Sequence, residues 1–359
     1  MVELKIIRHV NTLAMAPLVA ANALTVSSLY WAQSVSGQAT AELGQPALVA
    51  IAPGATLLGY ALGVAALATL SRDLSSPGGL ALHGMCLAVA LCLAAAAPNA
   101  ACLALACLAV GAGCALTQRI LVSSTTLVSE AKRAQAIGTI IAAGLLGIVF
   151  ARAYVAETAA AIGWRCVFLV GAATTLTACL AAAGLSLNRS IVPTERPKLP
   201  SPLALLRDVP ALRAAATQQA VLFAIFNMGW SLFPAVTHAS PAARAAIATA
   251  GVLAALLSGR ACRTLAPRAV ARMGLFAVGS AAAFAALAVT TSMPASGFLN
   301  YVAMAVLEIG TQVALVANQA RAQAAASSVP VRGRLAAIMT TIAFCGGAAG
   351  AAIGNLLQW

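Results

Sequence analysis

Charge is scarce in this 359-residue chain: Asp, Glu, Lys and Arg make up 8% of it, against about 25% in an ordinary soluble domain. Acids are the scarcer sign, 8 against 21 Lys and Arg, which leaves a formal net charge of +13. So small a polar complement excludes a soluble fold, because a globule of this length cannot hide a chain that is 62% hydrophobic. Aromatics are few as well, at 5%, and alanine fills most apolar positions. Closely packed helices fit that composition better than the lipid-facing strands of a barrel, so an all-α membrane protein is expected. Also missing is any concentrated basic stripe. The cations are scattered over short loops, which argues against a nucleic-acid partner.

The signatures of common catalytic chemistry are absent too. No GxxxxGKS or GxxxxGKT phosphate loop, HExxH zinc pattern or GxSxG nucleophile elbow occurs, and Ser123, Ser124 and Ser129 have no nearby base to activate them. His83 and His238 sit near span ends and His9 near the start, so neither a metal nor another cofactor is expected. Cys86, Cys92, Cys102, Cys107, Cys114, Cys166, Cys179, Cys262 and Cys345 lie in or beside apolar runs without zinc-ligand spacing, and read as small packing residues. An enzyme is not expected.

What the chain does have is apolar runs of about 20 residues, the length that crosses a bilayer, and a mean hydropathy of +0.94. Breaks at polar, Gly and Pro residues predict spans at 11–33, 46–70, 77–97, 100–127, 134–156 and 164–187, then 211–236, 245–262, 268–291, 296–319 and 335–357. Between the two groups, NRSIVPTERPKLPSPLALLRDVP is the longest stretch that is not apolar and reads as a cytoplasmic linker. The expected domains are an N-terminal six-helix bundle (1–187), the linker (188–210) and a five-helix C-terminal bundle (211–359).

With eleven spans, seventeen Lys and Arg near span ends fall on one side and only Arg165 and Arg244 on the other. The positive-inside rule makes the first side cytoplasmic, with the N-terminus inside and Trp359 outside. The two groups also echo each other. GVAALATLSRD (63–73) answers GVLAALLSGRACR (251–263), and EAKRAQAIGTIIAAGLLG (130–147) answers VPVRGRLAAIMTTIAFCGGAAG (329–350). Internal repeats of this kind are expected of secondary transporters.

Charges predicted at membrane depth are the first functional candidates, because each costs about 3 kcal/mol or more to insert and so faces a bundle interior. Arg152 falls in the outer half of span five, Glu308 deep in span ten and Arg119 toward the cytoplasmic end of span four. Glu308 either pairs with an arginine or helix end and positions its span, or exchanges a proton as a cavity changes its access. Arg152 either binds an anionic substrate group or neutralises a carboxylate; Arg119 either faces the cavity or snorkels to the surface. Neutral candidates are Asn22, Tyr30, Trp31 and Gln33 in span one, Gln118 in span four, Asn227 and Trp230 in span seven, and Gln312, Asn318 and Gln319 in span ten. Gln312 and Gln319, seven apart, share nearly one helix face. For each amide the alternative is a hydrogen bond between helices, and for Trp31 an interfacial anchor.

GYALG (59–63) with a short charged turn, QRILV (118–122), GTIIAAGLLGIVFAR (138–152), GWRCVF (163–168), LEIGTQVALVANQAR (307–321) and RGRLAAIMTTIAFCGGAAG (332–350), in that order and spacing, resemble the major facilitator superfamily, within it bacterial drug or metabolite exporters. Tyr30 and Gln33 match a Tyr-x-x-Gln pattern of the family. The resemblance implies two pseudo-symmetric six-helix bundles around a cavity that faces each side of the membrane alternately. It implies a bacterial inner-membrane location, a monomer, a small-molecule substrate and protons as a co-substrate. Proton-linked efflux is the leading expectation; uptake of a small anionic metabolite is the alternative. The chain departs from the family in three places. Its turn after span two reads Ser71, Arg72, Asp73, reversing the family's charge order, and the resemblance assigns Arg72 and Asp73 to a gating loop. Span five lacks the Gly-Pro pair of proton antiporters. Eleven predicted spans fall one short of twelve, which adds a truncated, non-transporting remnant to the expectations.

Overall fold

The computed structural model describes residues 15–70, 74, 76–128, 132–187, 200–290, 296–324 and 329–358. Those residues form fifteen helices and no strand: α1 (Ala16–Ser28), α2 (Trp31–Leu43), α3 (Pro46–Val49), α4 (Ala52–Leu70), α5 (Pro77–Ala95), α6 (Ala100–Cys114), α7 (Leu116–Thr126), α8 (Arg133–Ile162), α9 (Trp164–Leu187), α10 (Pro202–Asp208), α11 (Pro210–Thr237), α12 (Pro241–Thr264), α13 (Pro267–Thr290), α14 (Ser296–Ala324) and α15 (Val329–Leu356). Several begin where serine precedes proline. Ser76, Ser201 and Ser240 each cap the residue three ahead, while Pro77, Pro202 and Pro241 occupy the first turn, where no amide hydrogen is missed.

Among the described residues nine helices are long and apolar enough to cross a membrane, or ten if the pair Pro202–Asp208 and Pro210–Pro234, bent by 105°, counts as one. Predicted span one differs from this plan. Over its described part it is two helices, α1 and α2, parted at Leu29 and Tyr30, and α2 runs on to Leu43. The predicted linker also contains a helix, α10, started by the Ser201–Pro202 cap. Large side chains such as Leu105, Leu146 and Phe276 remain exposed, as befits a protein whose solvent is lipid.

Packing repeats across the chain. In the first half α1 lies on α8 and α9, α4 on α6, and α5 on α6 and α9. In the second half α11 lies on α15, α12 on α14, and α13 on α14. The sequence echoes fall on equivalent helices, 63–70 on α4 against 251–263 on α12, and 133–147 on α8 against 329–350 on α15. The halves meet along two related seams, α4 on α15 and α8 on α12.

Lipid tails are as apolar as leucine, so these helices gain their association from close packing rather than from leaving water. On α15, Gly346, Gly350 and Gly354 form one ridge four residues apart against the α11 backbone at Ala220, Ala224 and Met228. A Cβ at Gly350 would stand 2.6 Å from Ala224 Cα. Gly350→Ala is therefore expected to destabilise the protein by about 1–3 kcal/mol, the cost of overpacking. Gly184→Ala, which has nothing within 4 Å of the added carbon, should not lower the melting temperature in detergent, since a helix favours alanine over glycine.

Candidate functional site

Arg152 on α8 and Glu308 on α14 meet across the interface of the halves, Nη1 donating to Oε2 at 3.3 Å, with both side chains 3% exposed. Glu308 lies twelve residues into α14, which at 1.5 Å per residue is about 18 Å from that helix's start, near mid-membrane depth. Sequence reasoning left two partners open for each group; the structure gives each to the other.

The surrounding shell explains how a charged pair sits so deep. Trp230 Nε1 donates to Glu308 Oε2 at 2.6 Å, and Gln312, one turn along α14, donates to Oε1 at 3.3 Å. The guanidinium carbon of Arg152 stands over the rings of Trp230 (3.9 Å), Phe226 (4.7 Å) and Tyr30 (5.0 Å). Such cation–π contacts strengthen when desolvated. Phe226 and Trp230, four apart on α11, turn one face toward the arginine. Tyr30 reaches it because the chain turns between α1 and α2. On α12, Gly251 makes the room: a Cβ there would stand 2.6 Å from Glu308 Cγ. Nε and Nη2 of Arg152 make no hydrogen bond. Phe226 and Gly251 were missed from sequence; the i, i+4 aromatic pairing with Trp230 would have indicated Phe226.

Other predicted residues lie apart from the pair. Gln33 Nε2 donates to Ser231 Oγ at 2.8 Å, joining α2 to α11, and Asn355 Nδ2 of α15 donates to the same hydroxyl at 3.2 Å. Asn22 donates to Ile140 O at 2.7 Å and so joins α1 to α8, whereas Asn227 donates to Phe223 O of its own helix at 2.8 Å. Trp31 is buried, its Nε1 donating to Ser27 Oγ and its ring edge-on to Phe168, rather than anchored at an interface. Gln118 lies beside Tyr60, whose hydroxyl shares a hydrogen bond with Thr117. Arg119 sits against Gly79 on α5. Asn318 accepts from Arg321 at 2.9 Å, and the side-chain oxygen of Gln319 is buried without a partner. Arg72 and Asp73 lie outside the described residues.

The two arginines that broke the predicted charge bias are both paired. Arg244 Nη2 donates to Glu157 Oε1 at 2.8 Å and to Ala153 O at 3.3 Å, across the α8–α12 seam. Arg165 Nε donates to Glu42 Oε1 at 2.8 Å, and Trp164 Nε1 to Oε2 at 2.6 Å. Each clasp stands at the end of the helices opposite α10. At the other end, here the basic end, Arg334 donates to Ala68 O at 3.1 Å and Pro200 O at 2.8 Å.

A charged pair at membrane depth, shared between two related sets of helices, belongs to proteins that move one set against the other. The sequence matches the Major Facilitator Superfamily over residues 12–351. The chain belongs to that superfamily. It is similar in structure to a bacterial homolog of the human lysosomal transporter Spinster in an inward-facing, occupied conformation (TM-score 0.72, 16% identity, 96% of this chain and 81% of that one). It also resembles the nucleoside transporter NupG (TM-score 0.71, 14% identity, 96% and 91%) and a D-xylose-proton symporter (TM-score 0.69, 12% identity, 94% and 88%). No curated protein sequence matches it. This superfamily member is thus a secondary transporter, working by alternating access and not an enzyme, and Arg152 with Glu308 is its candidate centre.

The Glu42 clasp makes a prediction about pH. Hydrogen bonds from Arg165 and Trp164 hold its carboxyl below the ordinary 4.5. A carboxyl lowered on folding contributes stability that is complete above the unfolded value and fades as pH falls through the folded one. Melting temperature should therefore fall on acidification below about pH 4.5, and Glu42→Gln should lack that part of the fall. Identical pH profiles would contradict the clasp.

Proposed function

We propose that this transporter couples proton movement to export of a small, partly apolar molecule, and that the coupling group is Glu308. The observation that carries the proposal is the ion pair of Glu308 with Arg152, contributed by helices of opposite halves. A proton on Glu308 removes the charge that holds Arg152, so the halves part more readily once the carboxyl is protonated. Tyr30, Phe226 and Trp230 line the same place with flat apolar faces suited to a partly apolar cargo. The rocking units in this reading are the helices of residues 1–187 and of 211–359, joined through 188–210. Gln33 and Ser231, with Arg244 and Glu157, hold one end closed; Arg334 holds the other, where Arg72 and Asp73 also belong as gating-loop candidates. Gln118, Arg119, Asn227, Asn318 and Gln319 stand along the helices that would line an opened pathway.

The positive-inside bias supports a bacterial inner-membrane protein with its basic end and N-terminus in the cytoplasm, and nothing in the reading calls for more than a monomer. A second reading, uptake of a small anionic metabolite, is favoured by one observation: Nε and Nη2 of Arg152 are buried without hydrogen-bond partners, ready to hold a carboxylate.

The two readings separate in vesicles. In inverted membrane vesicles energised by a pH gradient, Glu308→Gln is expected to reduce dye efflux activity to background while leaving cargo counterflow, which needs no net proton movement, within about twofold of the parent. Gradient-driven dye movement that survives Glu308→Gln would sink the coupling role. If the parent moves no dye but exchanges small carboxylates, and Arg152→Gln abolishes that exchange, the anion reading replaces the first.

A further inference from the structure

The internal repeat also relates the two sides of the centre. TQRILV (117–122) answers TQVALV (311–316), identical at four of six positions, so Gln118 in the first half stands where Gln312 stands in the second. The match has one telling exception. In the same register the residue equivalent to Glu308 is Cys114, which is buried and shares a hydrogen bond with Ser28 at 3.3 Å. At the equivalent place the first half therefore presents a neutral group.

Between the two sides runs a chain of rings drawn from both halves. Tyr60 on α4 packs against Phe344 on α15 at 4.4 Å between centroids, and Phe344 against Phe223 on α11 at 4.8 Å. Phe223 stacks on Phe226 at 5.6 Å with 18° between planes, and Phe226 ends the chain at the guanidinium of Arg152. Tyr60 is the polar end. Its hydroxyl shares a hydrogen bond with Thr117 at 3.2 Å and also engages Gln118, which is half-buried. An amide has two donors and two acceptor lone pairs, more than one phenol hydroxyl uses, so Gln118 can hold a ligand as well.

We propose that the central cargo site selects a flat, neutral ring compound, its ring taken between Tyr60 and Phe344 as the halves part and its hydrogen-bonding substituent held by Gln118. This deepens, and rests on, the partly apolar cargo of the first reading. As α4 and α15 separate, each ring loses the face of the other, and a planar guest restores both stacks at once. The cargo is neutral because Arg152 and Glu308 answer each other and Cys114 stands in the place of a second acid.

The test is equilibrium binding of tritiated carbostyril, a flat neutral lactam, to the purified full chain in nanodiscs, with unlabelled competitors. Its fully hydrogenated counterpart keeps the lactam on a puckered frame and is expected to compete about tenfold less well, the worth of ring stacking. Tyr60→Leu and Phe344→Leu should each remove that preference, while Tyr60→Phe, which keeps the ring, should retain it. Gln118→Leu should weaken both lactams by about fivefold, as loss of one hydrogen bond does. Phe150→Leu, on the exposed face of α8, should leave both affinities as in the parent. Should Phe344→Leu not yield a monodisperse protein, Tyr60→Leu against Tyr60→Phe decides alone. No displaceable binding of carbostyril, equal binding of the two lactams, or a preference that survives the leucine variants would each overturn the proposal. Benzoate, flat but charged, should compete poorly; benzoate as the stronger competitor would overturn the neutral cargo and favour the anionic reading. Binding is measured without a gradient, so the coupling role of Glu308 can fail while this proposal stands, and the reverse.

Discussion

A guanidinium and a carboxylate facing each other at mid-membrane depth set the terms for the rest of this molecule. Taking either charge out of water costs several kcal/mol, and their attraction offsets that only when the remaining donors and acceptors are also served. Trp230 and Gln312 serve the carboxylate, and three aromatic faces serve the cation. Removing one partner of such a pair strands the other, at about 3–5 kcal/mol. Because Arg152 and Glu308 come from opposite halves, that energy bears on how the halves sit, and in the proposed coupling a single proton would release it.

The seams around the pair are built to permit this. Small residues let α15 lie against α11, and α4 against α6, at backbone distance, so each half is firm within itself. Between halves the polar contacts are few: Gln33 with Ser231 and Arg244 with Glu157 toward one end, Arg334 with Ala68 toward the other, and Thr341 with Ala61 O between them. Rigid bodies joined by sparse end contacts and one central pair can rock without remaking their cores.

Much of this was legible in the sequence because hydropathy and charge bias report the bilayer directly. Helical class followed from apolar length, the family from a resemblance carried by short segments in order, and the candidacy of Arg152 and Glu308 from charge inside apolar runs; the closeness of Gln312 to Glu308 went unread. The turn at Leu29 and Tyr30 did not, since neither Gly nor Pro marks it. Nor did the length of α2, since the predicted span stops at Gln33 and leaves Ser34 and Glu42 beyond it. These three are polar because they bond to Ser231, Ala151 and Arg165 on other helices. For Arg119 the sequence leaves cavity and surface both open, and its side chain stands against Gly79 of α5. In each case the deciding partner lies far away along the chain, where local periodicity carries no information.

The central claim is that the Arg152–Glu308 pair holds the halves together from mid-membrane depth. It is tested most directly by a pulsed electron-paramagnetic-resonance distance between spin labels at the exposed positions Ala41 and Ala242, on α2 and α12, in a version freed of its native cysteines. The account predicts one short distance at neutral pH, and a second, longer population that grows in Glu308→Gln and in Arg152→Gln alike. A distribution that neither substitution alters would show that the pair does not govern how the halves meet.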